Sequence, residues 1–172
     1  MLSQATIDSF QNDGIAFIPG LFKAHLDSLR MGVQKNIEEP GPYAAENLNE
    51  GEIGRFFDDY CNWQRINEFR NAAFDKNIAK AAALLMHSTT VQLFHDHVLV
   101  KAAGTLKPTP WHTDGPYYFV KGKKTLSFWV PLDPVKKATL RMVTGSHKWP
   151  KPVLPTKWLS CLLYTSPSPR DH

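Results

Sequence analysis

The chain has 172 residues, 42% of them hydrophobic and 21% charged, which is ordinary for one soluble globular domain with a core of its own. No run of 18 apolar residues occurs, and Met1-Leu2-Ser3-Gln4 lacks the basic and apolar regions of a signal peptide, so no membrane span is expected and a cytoplasmic location is. The net charge of +4 divides unevenly: residues 1–100 carry 8 Lys and Arg against 13 Asp and Glu, net −5, and residues 101–172 carry 12 against 3, net +9. A basic half favours anionic ligands. However, Lys121, Lys123, Lys124, Lys136 and Lys137 cluster beside Gly122 and Pro134, where solvated turns are expected. No aromatics interleave with them as a nucleic-acid groove requires.

In chain order, Ser3 is placed to cap a short helix carrying Ile7 and Phe10 and ending at Gly14. Ile15 to Ile18 reads as a strand stopped by Pro19-Gly20. Leu26, Leu29, Val33 and Ile37 then share one helical face, and Glu38-Glu39-Pro40-Gly41-Pro42 ends that helix. Residues 43–54 read as a polar surface loop. Arg55-Phe56-Phe57 and Tyr60-Cys61-Asn62-Trp63 form an aromatic cluster, read as core packing. Helices are expected over Arg65 to Phe74 and over Asp75 to His87, the second with Ile78, Ala82 and Leu85 inward. His25 and His87 fall near helix ends and read as structural or exposed. Cys61 and Cys161 belong to no C-x-x-C pair, so neither a zinc site nor a disulfide framework is indicated.

From Thr90 the pattern turns to strands. Val91, Leu93, His95, His97 and Leu99 alternate with Gln92, Phe94, Asp96, Val98 and Val100. Leu126 to Leu132 and Thr139 to Val143 read as further strands. Ahead of them stands Thr109-Pro110-Trp111-His112-Thr113-Asp114-Gly115-Pro116. On a strand, His112 and Asp114 share a face, and an imidazole and a carboxylate so placed reach one metal ion. They make two-thirds of a two-His-one-carboxylate triad for non-haem Fe(II). A plainer alternative has His112 and Asp114 bonded to each other. His95-Asp96-His97 raises a rival, a cupin-type metal site, although residues 98–104 lack the acid such a site needs. A buried, satisfied role is the other alternative for His95 and His97.

The ordered blocks Val98-Leu99-Val100-Lys101, Trp111-His112-Thr113-Asp114-Gly115-Pro116, Phe128-Trp129-Val130-Pro131 and Gly145-Ser146-His147-Lys148 resemble the phytanoyl-CoA dioxygenase family of Fe(II)/2-oxoglutarate oxygenases. The resemblance covers residues 3–157 and is strongest over 93–149. It implies an α+β, mainly β fold, a partial double-stranded β-helix (jelly roll, cupin-like) with N-terminal helices packed outside. It implies His112 and Asp114 as metal ligands, and His97 and Trp129 beside the cosubstrate. Fe(II), 2-oxoglutarate, dioxygen and a small organic substrate are the implied partners, with no nucleic acid and no membrane. Relatives that halogenate replace the carboxylate by a small residue; Asp114 is present, which points to hydroxylation. Thr144 and Ala138 depart mildly from the family's usual Pro and Gly. A metal-independent binding domain of the same fold is the alternative from another class.

No residue matches the family's distal His or its 2-oxoglutarate-binding Arg. Only four or five strands are legible where a closed roll needs eight. Cys161 to Asp171 is similar to the translation of a transposase adapter used for sequencing libraries, the alternative being a disordered Ser/Pro tail. The expected organisation is therefore an oxygenase domain over 1–159, incomplete at its C-terminus, with adapter read-through over 160–172. Such a fragment is expected to be inactive alone.

Overall fold

The first helix, α1 (Gln4–Asp13), begins where Ser3 Oγ accepts the Thr6 N–H at 3.1 Å and ends at Gly14 in the left-handed conformation, φ 80°. The structure, a computed structural model, describes residues 2–105, 107–118, 120, 122–135 and 139–154. Helix α2 (Leu26–Glu38) turns Leu29, Val33 and Ile37 onto the core, as their spacing requires, and stops before Pro40. Helix α3 (Asn67–Ala73) packs on α2 so closely that a Cβ on Gly32 would stand 2.7 Å from the Phe69 ring. Helix α4 (Lys76–Leu85) is capped by Asp75, whose Oδ1 accepts the N–H of Asn77 at 2.7 Å. Its buried face is Ile78, Ala81, Ala82 and Leu85. His25 Nε2 meets Asp75 Oδ2 at 2.9 Å, a structural role.

The strands are β1 (Ala45–Glu46), β2 (Phe56–Tyr60) and β3 (His97–Lys101), antiparallel in the order β1-β2-β3. Phe57 pairs with Val100, Asp59 with Val98 and Tyr60 with His97. The helices cover one face only. Phe57 and Val98 on that face join Ile66 and Phe69 with Leu29, Val33 and Ile37. Each such large apolar side chain, once buried, contributes roughly 1.5–3 kcal/mol. The other face carries Phe56, Asp58, Tyr60, His97, Leu99 and Lys101, and His97, Leu99 and Lys101 are exposed.

Asp59 turns inward on the helical side and is fully buried. Its carboxylate accepts Asn36 Nδ2 at 2.7 Å, the Gly41 N–H at 2.7 Å and the Tyr60 N–H at 2.9 Å, which satisfies a group otherwise costly to bury. Asp96 likewise accepts the N–H groups of Asn62 and Trp63, at 2.9 and 2.8 Å, and so fixes the turn in which Cys61 has φ 66°.

The all-strand expectations need correction. Among the described residues Ile15 to Ile18, Thr90 to Asp96, Thr109 to Thr113, Leu126 to Leu132 and Thr139 to Val143 form no ladder. A strand exists only where a neighbour offers the matching N–H and C=O groups, and alternation within one segment does not supply that neighbour. Here Pro19, Pro110, Pro131 and Pro134 also delete donors. Phe128 instead meets the edge of Phe22, ring centroids 5.5 Å apart, and Leu132 O accepts Arg30 Nε at 2.9 Å. Conversely, the cluster at 55–60 contains the central strand β2, and the loop 43–54 contains β1. The architecture is α+β; two facing sheets are not formed by the described residues. No helix among them is long and apolar enough to cross a membrane. Ala138, Lys121, Lys136, Lys137 and the 160–172 segment lie outside the described residues.

Candidate metal centre

Lys101, at the end of β3, organises the approach to the His112–Asp114 pair. Its Nζ lies 4.1 Å from the Phe56 ring centroid and donates to Lys107 O at 3.0 Å and Thr109 Oγ1 at 3.2 Å. Burial pushes its ammonium below the ordinary lysine range. The chain then passes through Pro110, and Thr113 is clamped at both polar groups: its N–H donates to Val153 O at 2.8 Å, and its Oγ1 accepts the Val153 N–H at 3.0 Å. Asp114 starts a single 3-10 turn, Gly115–Tyr117, whose Tyr117 N–H returns to Asp114 O at 2.9 Å.

On either side of the clamped Thr113, His112 Nε2 and Asp114 Oδ1 stand 3.1 Å apart. The segment is irregular, not the strand the i, i+2 argument assumed, yet the same two groups meet. His112 Nδ1 lies 2.8 Å from Pro110 O. A carbonyl only accepts, so Nδ1 carries a proton, and the hydrogen bond from Nε2 to the Asp114 carboxylate takes a second one; the Nε2 lone pair is free for a metal once that proton leaves. Metal-bound imidazoles are oriented in this way by a carbonyl on the far nitrogen.

The electrostatics follow from the pair. Asp114 lifts the His112 imidazole above its ordinary value through their hydrogen bond, burial opposes this, and the Pro110 carbonyl adds to the rise. Asp114 is held below the usual carboxylate value, first by the bond from His112 against the opposing effect of burial, then by attraction to His112, His97 and His95. His95 falls below its ordinary value, mainly by burial and next by repulsion from His97. Three imidazoles thus act on the charge of one carboxylate, and His112 alone is bonded to it.

The donor set fits a divalent ion in part. Two ligand atoms about 2.1 Å from one ion and at right angles are about 3 Å apart, which matches the His112–Asp114 approach. The pair is the self-bonded arrangement of the plainer reading and also a two-ligand clamp. Among the described residues no group of three His, Cys, Asp or Glu side chains is placed to hold a metal.

Around the pair the rings interlock. Tyr60 meets His97 and His95 edge-on, centroids 5.4 and 6.0 Å away, and stacks flat on Tyr43 at 5.2 Å. Tyr118 and Phe94 close on His95, and Tyr117 on His112. His97 lies on β3 with Nε2 3.3 Å from Asp58 Oδ2. Trp129 is half-exposed and, among the described residues, shares no hydrogen bond or ring contact with His97, His112 or Asp114. The structure therefore brings His97, His112 and Asp114 into one electrostatic neighbourhood, to which no described hydrogen bond or ring contact ties Trp129. Asp58 and Tyr60 were not singled out from the sequence. The signal for them is the alternation Phe56, Asp58, Tyr60, which marks one face of a strand.

Compared with known proteins, residues 10–162 match the family model for phytanoyl-CoA dioxygenase (PhyH). No curated relative and no solved structure matches the chain.

Proposed function

Because the chain belongs to the phytanoyl-CoA dioxygenase family, an oxygenase family, we propose that its domain, completed by the distal His and the 2-oxoglutarate-binding Arg that no residue here matches, serves as a non-haem Fe(II)- and 2-oxoglutarate-dependent dioxygenase hydroxylating a small organic substrate. His112 and Asp114 hold the metal, and His97 and Trp129 bind the cosubstrate. When bound, Fe(II) and 2-oxoglutarate activate dioxygen, the cosubstrate being decarboxylated to succinate as a C–H bond of the substrate is hydroxylated. The chain's own part is geometric. Pro110 O fixes the His112 tautomer, the Thr113–Val153 clamp sets the spacing of the two ligands, and the Tyr117, Tyr118 and Phe94 rings limit water around His112 and His95. Asp114 fills the position that a halide would need, which favours hydroxylation. The fold expectation travels with this reading: the β1-β2-β3 sheet forms one wall of a double-stranded β-helix, with the face of Tyr60 and His97 inward.

The observation carrying this reading is the 3.1 Å approach of His112 Nε2 to Asp114 Oδ1 with Nδ1 engaged on Pro110 O. Anaerobic titration of the domain so completed with Fe(II) and 2-oxoglutarate tests it, followed by the absorption band that both together produce. His112→Ala and Asp114→Ala should each abolish the band. A band that survives both substitutions removes the pair from the metal shell. Zinc held through His95 and His97 after both substitutions would favour the cupin-type reading instead.

A further inference from the structure

Asp58 and His97 are diagonal neighbours on the open face of the sheet: Asp58 pairs with Leu99, and Tyr60 pairs with His97. Both carboxylate oxygens of Asp58 are used. Oδ2 stands 3.3 Å from His97 Nε2, and Oδ1 accepts Asn47 Nδ2 at 2.8 Å. Asn47 is itself anchored. Its N–H donates to Phe56 O at 2.7 Å and its carbonyl accepts Lys107 Nζ at 2.7 Å. The Lys107 side chain is only 8% exposed and is also 3.6 Å from Glu52. A connected chain therefore runs from Lys107 through Asn47 and Asp58 to the His97 ring, and Tyr60 bears on that ring edge-on at 5.4 Å.

We propose that Asp58 is a positioning residue, which locks the orientation of the His97 imidazole so that its free edge meets the cosubstrate beside Asp114. This rests on the assignment of His97 to 2-oxoglutarate made above. A partly exposed imidazole held only by ring contacts keeps much of its rotation about two side-chain bonds, and a hydrogen-bonded partner removes it. Asp58 bonds the ring at Nε2 and Tyr60 bounds it edge-on, so Nδ1 is left as the ring nitrogen available to a ligand. Asp58 touches neither metal nor cosubstrate. Partners of this kind typically contribute about 10- to 100-fold to what they support.

Two readouts test the assignment. In the metal-free chain, nuclear Overhauser contacts between the His97 and Tyr60 rings report the orientation directly. Asp58→Leu should abolish them, and Asn47→Ala, which keeps Asp58, Tyr60 and His97 but removes the bond that holds Asp58, should weaken them. In the presence of Fe(II), the dissociation constant for 2-oxoglutarate should rise about tenfold in Asp58→Leu. It should rise comparably in His97→Ala and no further in the double variant, the signature of one residue acting through another. Asp58→Leu that keeps the ring contacts, or that weakens binding equally in the His97→Ala background, overturns the proposal. Unchanged affinity in Asp58→Leu beside weakened affinity in His97→Ala overturns Asp58 alone. Unchanged affinity in His97→Ala overturns the cosubstrate assignment itself, and loss of the ring contacts in Asn47→Ala would then still support the orienting role.

Discussion

The imidazole of His147 occupies the space into which a side chain on Gly14 would project. The turn Ser146–Lys148 lies across the end of α1 and satisfies three carbonyls there. His147 Nε2 is 3.2 Å from Gln11 O, Lys148 Nζ donates to Asn12 O at 2.9 Å, and the Gly145 N–H donates to Asp13 O at 2.8 Å. Those carbonyls have no partner within the helix, so the Gly-Ser-His-Lys block acts as a C-terminal cap brought from 130 residues along the chain.

Gly14→Ala should therefore be costly for two reasons. The left-handed backbone alone costs roughly 1–2 kcal/mol for a residue with a Cβ, and the methyl also displaces the His147 ring. Gly20 has a similar φ of 77° but open space around it. Urea denaturation of the two alanine variants should show the larger loss at Gly14. Equal losses would mean that the turn does not rest on α1 in solution.

Asp59→Ala removes three hydrogen bonds at a fully buried site and leaves Asn36 Nδ2 and the Gly41 N–H without an acceptor. The expected destabilisation is about 3 kcal/mol or more. A midpoint of unfolding within experimental error of the wild type would show that the cluster relaxes onto water.

The His112–Asp114 pair sets a pH window. The raised imidazole contributes fully below its ordinary value of 6.5, and its contribution is lost as pH rises through the higher folded value. The lowered carboxylate contributes fully above its ordinary value of 3.8, and its contribution is lost as pH falls through the lower folded value. The stability difference between wild type and Asp114→Asn should therefore be largest between those two ordinary values and shrink on either side. A difference independent of pH would deny the ion pair. Metal binding should run the other way at the His112 end and tighten as pH rises, because the ion displaces the Nε2 proton.

Trp129→Ala should change stability by no more than about 0.5 kcal/mol, as expected for a half-exposed side chain with no polar partner among the described residues. If the ring joins the cosubstrate site, 2-oxoglutarate affinity falls in the same variant. Unchanged affinity would withdraw Trp129 from that site.

The helices were legible because their signals are local. Ser3 and Asp75 cap, Gly14 stops, and Leu29, Val33 and Ile37 repeat at the helical period within one segment. The sheet was less legible, since pairing joins Phe56–Tyr60 to His97–Lys101 about 40 residues away, and nothing within 126–132 or 139–143 reveals the absence of a partner. The proximity of His112 and Asp114 follows from their spacing, although an irregular segment ahead of a 3-10 turn, not a pleat, carries them. Asp58 was hidden among aromatics because its role depends on a residue of another strand.

Lys107 has a consequence for chemical labelling. Its amine is held by Asn47 O and Glu52 and is almost wholly covered, whereas Lys123 is exposed. An amine-acylating reagent in limiting amount should modify Lys123 early and Lys107 late. Reagent uptake at Lys107, read by peptide mass spectrometry, thus becomes a clock for how often the 45–52 loop lifts from the segment leading to His112.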